Sequence, residues 1–152
     1  IGEKMEAISA VLELGKKRGG DAGLPYAGAL TPNEVYDVLQ KTEQVVLIDV
    51  RTKAELELVG KIPGVRNIEW ATYPGMAANP DFAKQLEMQV DKGSLVVFMC
   101  RTGGRSHHAA TLAASLGFEA YNMLEGFEGE ANAERQRTLI NGWRHTGLPW
   151  SN

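Results

Sequence analysis

Apolar positions along the chain change their spacing in a regular way. Val45-Val46-Leu47-Ile48-Asp49-Val50 and Ser94-Leu95-Val96-Val97-Phe98-Met99 run without alternation, the pattern of strands buried on both faces. Between and around them the spacing becomes helical. Residues 3–18 place Met5, Ile8, Val11, Leu12 and Leu14 on one stripe and end in Lys16, Lys17 and Arg18, with Gly19 and Gly20 read as the stop. The Gly-, Ala- and Pro-rich connector after them leads to a short strand near Ala29 and Leu30. Thr31-Pro32-Asn33-Glu34 is a capping box with proline in the first turn, followed by Val35, Val38 and Leu39 as a buried face. A short helix over 53–59, a strand near 65–68 and a helix over 80–90 opened by Asn79 come next. After Met99 the pattern predicts a helix from Arg105 to Leu116 ended by Gly117, a last strand over 120–124, and a helix over 133–143 before a proline-ended tail.

Strands that alternate with helices in chain order predict an α/β fold with a parallel sheet covered on both faces. The expected organisation is an N-terminal helix and connector (1–28), a catalytic domain (29–130), and a C-terminal helix and tail packed on that domain (131–152). Ligands of such sheets sit beyond the C-terminal ends of the strands. Asp49 and Cys100 both occupy that position.

At 43% hydrophobic and 23% charged residues the composition is that of an ordinary folded domain, and a net charge of −3 lacks the basic excess of a general nucleic-acid binder. No apolar run reaches the roughly 18 residues of a membrane span, and the first twenty residues lack a continuous signal-type stretch. The expectation is a chain of the cytoplasm with no nucleic-acid or membrane partner. A single cysteine excludes an intramolecular disulfide.

That cysteine opens the segment Cys100-Arg101-Thr102-Gly103-Gly104-Arg105-Ser106. Buried cysteines are commonly small hydrophobes, and an arginine or a glycine pair alone would be an ordinary surface charge or turn. Together, on a connection from a buried strand to a helix, they point to chemistry. Two glycines let the backbone curl its N–H groups inward at the positive end of the next helix, forming an anion nest. A thiolate is the nucleophilic form of cysteine and is favoured at a helix N-terminus or beside cations. Arg101 and Arg105 would add charge at the rim.

This segment resembles the active-site loop of the rhodanese (sulfurtransferase) family, in which a cysteine is followed by four residues and an arginine. Cys100 and Arg105 match that spacing. Upstream, Asp49, Arg51, Glu55, Gly60, Ile62 and Gly64 fit the family stretch that reads Asp-x-Arg, an acidic residue and an aromatic, then Gly-His-Ile-x-Gly-Ala. Leu56 replaces the aromatic, one extra residue precedes Gly60, and Lys61 stands where histidine is common. Residues 124–129, Leu-Glu-Gly-Phe-Glu-Gly, resemble the closing turn. The resemblance implies a three-layer fold around a five-stranded parallel sheet. It also implies sulfur transfer through a persulfide on Cys100, from a small anionic donor such as thiosulfate or a persulfide to cyanide or a thiol, free or on a protein. Residues 101–106 would bind the donor, with no metal or organic cofactor.

Around the loop, Asp49 is expected to brace backbone or an arginine, and Arg51 and Glu55 to pair with each other or with a cap. His107 and His108 are read as surface or packing residues. Trp70, Trp143 and Trp150 are read as core or tail anchors, Trp70 with a place at the site entrance. A cysteine phosphatase or arsenate reductase of related fold needs five residues between cysteine and arginine, and here there are four. A regulatory or partner-binding module without turnover is the other alternative.

Overall fold

Residues 2–152 are described by a computed structural model, in which the elements follow one another as α1 (Gly2–Ala22), β1 (Gly28–Leu30), α2 (Pro32–Lys41), β2 (Val45–Asp49), α3 (Lys53–Val59), β3 (Arg66–Asn67), β4 (Ala71–Thr72), β5 (Ala77–Ala78), α4 (Phe82–Gln89), β6 (Leu95–Met99), α5 (Gly104–Ser115) and β7 (Glu119–Met123). The main sheet has the order β1-β7-β6-β2-β3 and every pairing in it is parallel. The two unbroken apolar runs become adjacent strands of this sheet, with Val45 opposite Leu95 and Asp49 opposite Met99.

Alternate side chains of these strands feed two cores. Ile48, Val50, Val96, Phe98 and Cys100 pack with Phe82 and Leu86 of α4 and Ala109, Ala110 and Ala113 of α5. Val45, Leu47, Val97, Met99, Tyr121 and Met123 pack on the other face with Val35 and Val38 of α2 and with Trp143. Small alanines on α5 let that helix approach the sheet closely. The capping box of Thr31 with Glu34 forms at α2, and a second, of Thr52 with Glu55, stands at α3. Each satisfies N–H groups that the first turn leaves without partners.

Two expectations are corrected. Gly19 and Gly20 do not stop α1, which continues to Ala22. Instead Gly15 and Gly19 are buried against β1, where a Cβ on Gly19 would lie 2.9 Å from both the Ala27 carbonyl oxygen and Gly28 Cα. Backbone meets backbone there. Arg18 locks the contact with hydrogen bonds to Ala29 O (2.9 Å) and to both carboxylate oxygens of Glu34 (2.6 and 2.8 Å).

The helix over 133–143 does not form; residues 131–150 are turns and extended chain. Asn132 Oδ1 accepts from the amides of Glu134 and Gln136 (2.9 Å each), offering the backbone a local alternative to the helix. Arg135 and Thr138 have φ of 64° and 75°, and Leu139 and Ile140 are exposed, so no apolar face is buried. The tail is anchored by single side chains. Trp143 is fully buried, edge-on to Tyr36, and its Nε1 donates to Pro149 O at 2.8 Å. Further on, Lys61 and Ser151 exchange backbone hydrogen bonds of 2.7 and 2.9 Å. No helix of the described residues is long and apolar enough to cross a membrane.

Candidate active site

β6 delivers Cys100 to the C-terminal edge of the sheet, and α5 begins four residues later. Cys100 is almost wholly buried. Gly103 has a φ of 117°, a conformation open to glycine, which turns its N–H back onto Cys100 Sγ at 3.0 Å. Buried Ser106, in the first turn of the helix, sets its hydroxyl 3.3 Å from the same sulfur. The amides of Thr102, Gly104 and Arg105 have no acceptor among the described residues. The sulfur thus sits at the positive end of α5 with two donors aimed at it.

The loop is held from three sides. Residues 124–129 close over it: Phe127 N–H donates to Cys100 O (2.9 Å) and Glu128 N–H to Arg101 O (3.0 Å). Gly126 crosses so near that a Cβ there would lie 2.6 Å from Thr102 N. From β7, Asn122 Nδ2 donates to Gly103 O at 3.2 Å, fixing the peptide whose neighbour faces the sulfur. On the third side, Tyr26 of the connector bonds His107 Nδ1 at 2.7 Å. Burial pushes the Tyr26 phenol up. Asn122 escaped the sequence reading. Its signal was a polar residue inside a buried strand, as with Asp49.

Asp49 and Arg51 form a buried ion pair, with Arg51 Nη2 2.8 Å from Asp49 Oδ2 and also donating to Gly60 O at 2.9 Å. The Arg51 guanidinium stacks over Phe127 at 4.2 Å, so this pair supports the closing turn from below. Arg51 and Glu55 do not pair with each other. Glu55 caps α3 through Thr52 N–H (3.1 Å) and receives a two-pronged hydrogen bond from Arg105 (2.7 and 2.8 Å).

Arg105, expected to add charge at the rim, reaches the cleft bonded to Glu55. Its charge is already matched. Burial pushes the Glu55 carboxyl up, but Arg105 and Thr52 outweigh it and hold the group at about 2. The same bond raises Arg105.

Arg101 is exposed and makes no ion pair among the described residues. Arg101 and Arg105 line an open cleft of about 380 Å³ with Thr52, Ala54, Glu55, Leu58, Val59, Tyr73 and Met76. Tyr73 and Met76 belong to the small β4–β5 hairpin. Trp70 does not line this cleft; it packs edge-on against Phe82 at 5.0 Å and stacks on His108 at 6.4 Å. Among the described residues, no cluster of three His, Cys, Asp or Glu side chains could hold a metal ion.

The family model for the rhodanese-like domain matches residues 31–133. The chain belongs to this family. Among relatives of this rhodanese-like protein, an uncharacterized protein of Rickettsia conorii is 34% identical over 120 residues, covering 77% of this chain and 91% of that one. The thiosulfate:glutathione sulfurtransferase of Saccharomyces cerevisiae is 32% identical over 85 residues, 54% of this chain and 60% of that enzyme. In three dimensions, the crystal structure of Rv0390 from M. tuberculosis matches with a TM-score of 0.76 and 38% identity over 83% of this chain and 98% of that one. The matched span holds four strands of the parallel sheet, β2, β3, β6 and β7, and the loop that crosses from β6 to α5, while α1 and β1 precede it.

Proposed function

We propose that this rhodanese-like protein is a sulfurtransferase that carries sulfane sulfur on Cys100. The observation that supports it is the pair of donors on Sγ, Gly103 N–H at 3.0 Å and Ser106 Oγ at 3.3 Å, at the start of α5. They stabilise negative charge on sulfur before the reaction. The Cys100 thiolate attacks the outer sulfur of thiosulfate; the sulfur–sulfur bond of the donor breaks and sulfite leaves with the electron pair. Negative charge then rests on the outer atom of the Cys100 persulfide, beside the amides of Thr102, Gly104 and Arg105 that have no acceptor. An acceptor, cyanide or a thiolate, next attacks that outer atom and Cys100 departs as thiolate. Splitting the transfer into two steps is covalent catalysis and consumes no oxidant.

Arg101, the exposed cation of the cleft, draws the anionic donor, whereas Arg105 positions the loop through Glu55. Four residues between Cys100 and Arg105 make a ring suited to one sulfur atom rather than a tetrahedral phosphoryl group. Intact mass after mixing with thiosulfate is the test. Wild type gains one sulfur atom and Cys100→Ser gains none; no gain in either protein refutes the proposal.

A further inference from the structure

Sulfur transfer leaves a second cleft of the molecule unused. It holds about 470 Å³, a size suited to a small organic molecule, and is walled by α1, the connector, β1, the start of α5 and the end of β7. This cleft meets the active-site loop at Gly103 and Gly104, whereas Arg101 and Arg105 line the other one. Cys100 is not in its wall, so a ligand here is neither sulfur donor nor acceptor. Half-buried Leu24 and Leu124 give it an apolar side. Both Nη atoms of Arg18 are taken by Glu34, at 2.6 and 2.8 Å. The lining has no carboxylate and no unpaired arginine or lysine, which favours a neutral ligand.

Two polar groups are left to read that ligand. Asn122 is 7% exposed and commits its Nδ2 to Gly103 O at 3.2 Å. The other arm of the same amide, Oδ1, is buried without a partner among the described residues. An acceptor in that condition is costly and calls for an N–H or O–H. His107 presents the opposite polarity. The Tyr26 phenol, kept protonated by burial, donates to His107 Nδ1 at 2.7 Å, which places the proton of the neutral ring on Nε2. An acceptor and a donor in one cleft match a primary carboxamide, whose N–H and carbonyl share one carbon. We infer that this cleft binds a neutral primary carboxamide on an apolar body. Its amino group donates to Asn122 Oδ1, its carbonyl accepts from His107 Nε2–H, and its body lies against Leu24 and Leu124. Because Asn122 also holds Gly103, occupancy is felt at the Cys100 loop.

Benzamide, acetophenone and benzoate test this, because they share size and shape and differ in one group: a carboxamide, a methyl ketone and a carboxylate. Each is titrated into the full chain at pH 8 and followed by the 1H–15N shifts of its amides. Benzamide is expected to bind at least about tenfold more tightly than either of the others, the scale of leaving a buried acceptor unpaired. It should move the Asn122 side-chain amide together with the backbone amides of Gly103 and Gly104. Asn122→Leu removes the advantage of benzamide over acetophenone, and the comparison of the three ligands on wild type stands without any variant. Cys100→Ser is expected to bind benzamide as wild type does, so a chain that takes no sulfur from thiosulfate overturns the proposed function and leaves this site standing. Equal affinities, benzoate as the tightest ligand, binding that does not saturate, or shifts gathered around Arg101 and Tyr73 instead would overturn the inference.

Discussion

Gly126→Ala tests whether the closing turn sets the position of the reactive sulfur. Gly126 has a φ of 74°, where a residue with a side chain pays about 1–2 kcal/mol. Strain alone would lower stability and leave chemistry untouched. The added Cβ, however, would lie 2.6 Å from Thr102 N and against the Arg101 carbonyl. An ordinary contact needs about 3.5 Å or more, so the loop must retreat by roughly 0.9 Å. That shift is large against the 3.0 Å bond from Gly103 N–H to Sγ and the 3.0 Å bond from Glu128 N–H to Arg101 O. A misplacement of about 1 Å costs on the order of a hundredfold in rate. The assay is the single-turnover rate of sulfur gain from thiosulfate, measured alongside urea unfolding. Gly117→Ala serves as the strain control: its φ is 94° and its Cβ would meet nothing within 4 Å. The control loses about 1–2 kcal/mol and keeps its loading rate. If Gly126→Ala loads within about threefold of wild type, less than 1 kcal/mol of barrier, the turn does not position the sulfur.

Asn122→Leu removes the bond to Gly103 O and is expected to slow loading about tenfold while costing about 1 kcal/mol of stability; an unchanged rate would reduce Asn122 to packing. Glu55→Gln breaks the charge match with Arg105 and should cost about 1.5–3 kcal/mol at neutral pH. Because folding lowers the Glu55 carboxyl from 4.5 to about 2, its contribution is complete above pH 4.5 and fades as pH falls toward 2. The stability gap between wild type and Glu55→Gln, followed by urea unfolding, should therefore narrow in that window; a constant gap would show that the cap geometry alone matters. For Gly19→Ala, helix propensity predicts a gain of about 1 kcal/mol, whereas overpacking on β1 predicts a loss of about 1–3 kcal/mol. The structure selects the loss, and a raised unfolding midpoint would contradict it.

Local signals carried most of the fold. The capping box at Thr31 and the unbroken runs ending at Asp49 and Met99 depend on neighbours a few residues apart, and those elements stand where the pattern puts them. The strand-to-helix crossing at Cys100 was legible for the same reason. What the pattern misread depends on distant partners. Gly19 looks like a stop until β1 is placed against it, because a close helix–strand approach and a helix end ask for the same residue. Arg105 reads as charge added to the rim until the fold brings Glu55, fifty residues earlier, to 2.7 Å. Residues 133–143 have helical composition, yet Leu139 and Ile140 find no surface to cover, and Asn132 takes the amides for a turn.

The tail has a consequence for the order in which the molecule is made. Trp143 N–H donates to Gly126 O at 2.9 Å and Arg144 N–H to Phe127 O at 3.2 Å, so the closing turn over Cys100 is itself held by residues translated after it. Trp150 then covers Gly60, whose carbonyl receives Arg51. A nascent chain that has released Cys100 from the ribosome but still holds Trp143 in the exit tunnel carries the thiol on a turn without its outer brace. The site matures last, when the segment that contributes none of its donors has emerged.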